Sequence, residues 1–516
     1  MTDHALERAA EQETVRLCQR YGELFGRLYE YNYRLIQESE DPENEGKYHF
    51  ESIFDFYITS NAQSLCKSLL LGCFGSPGML LNARCILEGL AIKQKYRLGE
   101  VPESRVALLQ KQVFLIEYKY YRRFDDIAEQ ILLPEKLRHD YEETCAFFSD
   151  HLRGEFSEGK IRSIIRSEIP FLCEPHTNFR KLIGENLGEE FAVMYGVLSQ
   201  GVHPSTNTFH REKNTIVYLL KVLDMVYEEY KHLPATRVTL YSHLARCHSS
   251  DATRRIVELT RKECRMLSDI AEVFEKETGG NNFVSDTLCT AEKLLWDMTV
   301  DGSLALVEQV KSKWKVMLEL LAGFDHAYFH WMLSLGEESY RLMEAHRNIQ
   351  LARNYGDIVD LTDAYDLYKT LYPRGCDRAA FDKGFMNLLG YTIDGDGKTK
   401  NLTEMVRLLL ETIPKEGFHD RVMYLDYVES QMLSHANGYM WFANTGAWQD
   451  KNPVLIASEC LIWSTVQHIY DFYMIVQRLG NKQSKPILNV LRNRLKASDP
   501  LVNEKISLLR LPEIPI

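Results

Sequence analysis

The sequence predicts an all-α protein built as two tandem helical bundles. Three observations carry that expectation. Nearly every long stretch shows apolar residues at helical spacing, and few alternate with the period of two that a strand needs. Glycine and proline gather in short breaks, such as Gly75-Ser76-Pro77-Gly78, His203-Pro204, Leu233-Pro234 and Gly279-Gly280, which read as helix ends. The chain has 516 residues, 45% hydrophobic and 26% charged, enough for two or three cores of ordinary globular composition.

Taken in chain order, Pro234 stops one helix and the HSSD stretch before Asp251 offers a fresh N-cap. These place the first bundle at 1–240 and the second at 251–516. The helix opened by Asp251 is expected to end at Gly279-Gly280. The stretch from Asp301 to Gly336 reads as one long helix. Val307, Val310, Trp314, Met317, Leu321, Phe324, Tyr328, Trp331 and Leu335 fall there at three- and four-residue spacing, a single seam against a parallel neighbour.

Charge and cysteines narrow the function. The net charge is -12 and the pI about 5.8, whereas a broad nucleic-acid surface is usually basic. The 11 cysteines are scattered, without a CxxC pair; Cys18, Cys66, Cys73, Cys85 and Cys460 sit among apolar helical residues and read as buried free thiols of a reducing compartment. No run of about 18 apolar residues suggests a membrane span. The polar, acidic N-terminus does not read as a signal peptide. A cytoplasmic protein without a membrane-spanning segment is expected.

Two features suggest an internal duplication. The helix at 80–100 can be laid on 336–357, so that Glu88 meets Glu344. The stretch YGVLSQGVH at 195–203 meets YVESQMLSH at 427–435. Tyr195, Ser199 and His203 are four apart, as are Tyr427, Gln431 and His435, so each set stacks along one helix face. Ser205 and Asn437 follow as small polar residues in the turn. On a helical wheel Arg84 and Glu88 fall in the apolar arc, while Asn82, Gly89 and Lys93 form the polar one. Arg84 and Glu88 therefore face the interior and must be paired, with His203 the expected third member. Two readings stand. One is a buried ionic clamp that fixes helix docking. The other is a site where His203 transfers protons, with Arg84 holding an anion such as a phosphate.

The Arg-x-x-x-Glu helix (Arg84, Glu88) and the Ser-x-x-x-His-Pro-Ser stretch (Ser199, His203, Pro204, Ser205) resemble a bacterial family of unknown function. That family is similar to HEPN domains, the helical nucleotide-binding and ribonuclease bundles of prokaryotic toxin and phage-defence systems. The second half fits only at Glu344 and His435 and looks like a degenerate copy. The resemblance implies a helical bundle, a possible homodimer, and a metal-independent ribonuclease as the alternative to a binding or interaction protein for an unknown protein or small anionic ligand. RNA is the further partner it implies. The ribonuclease spacing of Arg before His recurs at Arg341–His346 and at Arg237–His243.

Other motifs carry less. His326 and His330 are four apart but lack the glutamate of a zinc-protease helix. DGDGK at 394–398 has Met405 where a calcium loop needs glutamate. RNRLK at 492–496 reads as a solvated helix face. No phosphate-binding glycine loop is present, and neither a cofactor nor a metal site is expected.

Overall fold

The computed structural model describes residues 3–40, 50–96, 134–167, 178–202, 214–240, 251–278, 282–304 and 306–327, with further positions within 108–119, 242–243, 406, 427–441, 485–493 and 500. The described residues contain eleven named helices. They are α1 (Asp3–Glu40), α2 (Phe50–Leu70), α3 (Pro77–Tyr96), α4 (Pro134–Leu152), α5 (Glu158–Arg166), α6 (Phe179–Leu187), α7 (Glu189–Val202), α8 (Asn214–Tyr230), α9 (Asp251–Thr278), α10 (Asn282–Ser303) and α11 (Val307–Ala327). No strand occurs among the described residues. The protein is all-α.

Local chemistry explains several boundaries. Pro77 occupies the first position of α3, where a missing N–H costs nothing, and the Ser76 hydroxyl accepts from Gly78 N at 3.1 Å. Ser157 caps α5 and Asn178 caps α6, the latter accepting from Lys181 N at 2.8 Å. α6 ends at Gly188, whose φ of 107° suits only glycine. α7 spans Glu189–Val202, with His203 and Pro204 outside the described residues. α9 spans Asp251–Thr278, with Gly279 and Gly280 outside the described residues.

α3 is the hub. It packs against α2, α6, α7, α8, α10 and α11. Almost every residue from Pro77 to Lys93 is buried, so this helix has no solvated face. The expected polar arc is corrected here: Asn82 is fully buried, and Lys93 bonds Asp55 at 2.6 Å and Glu229 at 2.9 Å. The wheel projection failed because it assumed one buried face.

α11 behaves in the same way. Val307, Val310, Trp314, Met317 and Leu321 are buried as expected, but so are Gln309, Lys311, Lys313, Lys315 and Glu319. The seam is therefore one side of a helix covered all round. It also starts later than expected. Asp301 belongs to the last turn of α10, and a short break precedes Val307. Cys18 is exposed rather than buried, while Cys66, Cys73 and Cys85 are buried free thiols.

One hydrophobic core joins helices from before and after 240–251, from Tyr21 and Phe54 through Leu198 and Leu267 to Trp314 and Trp441. Each fully buried Leu, Ile or Phe contributes about 1.5–3 kcal/mol before entropy is charged against it. A smaller cluster, centred on Phe148, Leu152 and Ile164, holds α4 and α5 against Leu108 and Leu115.

The junction of α2, α10 and α11 contains a sealed ionic network. Lys67 reaches Asp297 at 2.9 Å and Asp301 at 2.7 Å; Lys313 reaches Asp297 at 2.9 Å and also Asp301. All four side chains have no solvent exposure. Ser64, Ser68 and Ser76 donate to the carboxylates at 2.6–2.8 Å. Burial alone pushes the Asp297 carboxyl up, but Lys313 and Lys67 outweigh it and hold it well below its ordinary value. A Cβ on Gly78 would run into Asp297 and Lys313, so glycine admits the start of α3 to this junction.

Candidate functional site

Arg84 and Glu88 lie on consecutive turns of α3, and both are buried. The side-chain order, arginine four before glutamate, is the weaker one for a direct pair, and Arg84 Nε stands 3.6 Å from Glu88 Oε1. Each group binds instead to a segment some 350 residues later in the chain. The Arg84 guanidinium donates to the Ser434 carbonyl at 2.7 Å. Glu88 Oε2 accepts from the Ala436 backbone N–H at 3.1 Å, and His435 Nδ1 lies 3.4 Å from Glu88 Oε1. The Tyr195 hydroxyl, brought by α7, donates to the same oxygen at 2.9 Å.

Burial alone pushes the Glu88 carboxyl up. The His435 ring, Arg84 and the Ala436 N–H together outweigh burial and hold it below the usual carboxylate range. Burial alone works against the Arg84 charge as well, and Glu88 reverses that. The Tyr195 phenol is pushed well above its ordinary value by burial and by the Glu88 charge. Burial pushes the neighbouring Cys85 thiol up to about 12, so it is not a nucleophile near neutral pH.

Among the described residues Arg84 and Glu88 meet His435; the third member expected from the sequence is His203. His203, Ser205 and Glu344 lie outside the described residues. Ser199 lies one turn after Tyr195, with its hydroxyl oxygen buried. His435 retains 26% side-chain exposure and stacks on Phe179, with ring centroids 6.0 Å apart and planes 6° apart. Asn437 closes the following turn by donating to the Met432 carbonyl at 3.1 Å.

Tyr427 and Gln431 are buried in a second, adjoining cluster. The Tyr427 hydroxyl donates to Glu319 Oε1 at 3.2 Å, and Lys315 lies 3.4 Å from that carboxylate, one turn back on α11. Lys311 pairs with Glu429 at 2.5 Å. The Lys315 ammonium is held below its ordinary value, first by burial and then by the Arg84 charge, with Glu319 opposing.

Sequence reasoning missed Lys315 and Glu319. The signal was the stretch VKSKWKV, where Lys311 and Lys315 share one helix face and Lys313 falls on the opposite one. No single solvated face can hold all three. A second signal was spacing: Lys315–Glu319 repeats the cation–glutamate step of Arg84–Glu88, at nearly the chain offset that relates Tyr195 to Tyr427.

The remaining motifs fall elsewhere. His243 is buried and packs on Tyr29, with ring centroids 4.3 Å apart, while Arg237 is exposed. Arg341, His346, His330 and the stretch 394–398 lie outside the described residues, as does the His326 side chain. Among the described residues, no group of three or more His, Cys, Asp or Glu could hold a metal ion, and no helix is long and apolar enough to cross a membrane. Comparison with known proteins finds no family model, no curated protein and no solved structure that matches this chain.

Proposed function

We propose that this chain is a helical binding protein, acting on a protein partner or a small anionic ligand, in which the Arg84–Glu88–His435 cluster is a structural clamp. One observation carries the reading: Arg84 is 2% exposed and Glu88 not at all, and both are bound to the main chain at 434–436. A general acid or an anion-holding arginine must meet its substrate within hydrogen-bond reach. Among the described residues these two groups are enclosed by protein. Free thiols at Cys66, Cys73 and Cys85 support a reducing, cytoplasmic setting.

The test is RNA cleavage by the purified chain in EDTA. The clamp reading predicts none. Cleavage that disappears in His435→Ala or His203→Ala, with helicity by circular dichroism unchanged, overturns it in favour of a HEPN-like, metal-independent ribonuclease.

A further inference from the structure

Apart from the buried clusters, a cleft of about 510 Å³ opens where the 71–76 loop meets α9 and α10. That volume lies within the range of small-molecule sites. Its walls combine two chemistries. Arg261 and Arg265 are four apart on α9, hence on one face, and both are exposed. Among the described residues neither guanidinium has an ionic partner. Lys293 faces them from α10. Trp296, partly buried against the core, and Phe74, 49% exposed, supply two aromatic surfaces.

We propose that this cleft binds a phosphate monoester carried on a flat ring, a ligand of nucleoside-monophosphate size. The paired guanidiniums fit the planar, multidentate recognition of phosphate oxygens. Trp296 and Phe74 provide faces on which a ring can stack. Two carboxylates also line the cleft. They are Glu292 and Asp269, set against the three cations Arg261, Arg265 and Lys293. By formal charge the wall keeps a positive excess that attracts an anion.

The inference rests on the binding reading above but fails separately from it. RNA cleavage lost in His435→Ala would overturn that reading whatever this cleft binds. Isothermal titration of the full chain with adenosine 5′-monophosphate, phenyl phosphate and inorganic phosphate tests the cleft itself. Both ring phosphates are expected to bind at least about tenfold more tightly than inorganic phosphate. The double variant Arg261→Glu/Arg265→Glu, both at exposed positions, is expected to weaken them about tenfold or more with helicity unchanged. Trp296→Ala is expected to reduce them to the level of inorganic phosphate. No binding of either ring phosphate at millimolar concentration, binding that survives the double arginine change, or equal binding of inorganic phosphate overturns the proposal.

Discussion

Arg84–Glu88 on α3 and Lys315–Glu319 on α11 are built to one pattern. Each is a cation four residues before a glutamate on a helix without a solvated face, and in each a tyrosine from a later segment donates to the carboxylate. Their electrostatics diverge. Arg84 keeps its charge despite burial, because the Glu88 charge lies beside it; its fork donates to the Ser434 carbonyl, while Nε finds no hydrogen-bond partner among the described residues. Lys315 is pushed toward its neutral form by burial and by Arg84 itself. The two cations are not interchangeable, and the first pair also ties down a remote stretch of main chain.

The largest break in this comparison is Glu88→Gln. It leaves Arg84 buried without its carboxylate, and we expect a loss of about 3–5 kcal/mol in chemical unfolding. The same change alters the pH profile. The folded Glu88 carboxyl titrates lower than the unfolded one, so its contribution is present above the unfolded value and disappears as pH falls through the folded one. Stability of the unaltered chain is thus expected to decline in acid, below the ordinary carboxylate range. Glu88→Gln is expected to flatten part of that decline. An unchanged acid limb would contradict the assignment.

Replacing whole pairs sharpens the contrast. Lys315→Met with Glu319→Gln removes both charges together, and a buried pair replaced in that way is often close to neutral; we expect a change within about 1 kcal/mol. Arg84→Met with Glu88→Gln also strands the Ser434 carbonyl and weakens the bond from Ala436, and should cost about 2–3 kcal/mol. Equal costs for the two double variants would mean that the remote main-chain bonds contribute nothing.

These pairs also show what the sequence discloses. Helix type follows from apolar spacing, and the start of α3 at Pro77 from punctuation, because proline acts locally. The inward orientation of Arg84 and Glu88 was legible, since they interrupt an apolar arc. The lysines at 67, 93, 313 and 315 were not. A helical wheel assigns one buried face, whereas α3 and α11 are enclosed by several neighbours, which is a tertiary fact. Nor could the chain alone say that His435 meets Glu88. His203 and His435 follow tyrosine at the same spacing; the fold brings 434–436 onto α3, and His203 lies outside the described residues.

The smallest expected effects come from the tyrosines. Tyr195→Phe removes one bond to Glu88 and should cost about 1 kcal/mol. Tyr427→Phe, at a longer bond, should cost less. Thermal unfolding of the two variants side by side checks the order, and a larger loss at Tyr427 would reverse it.

The central claim is that Glu88 grips the segment carrying His435. A double-mutant cycle on Glu88→Gln and His435→Ala, read by denaturant unfolding, measures it directly. The account predicts a coupling of about 1–3 kcal/mol; losses that add to within about 0.3–0.5 kcal/mol would contradict it.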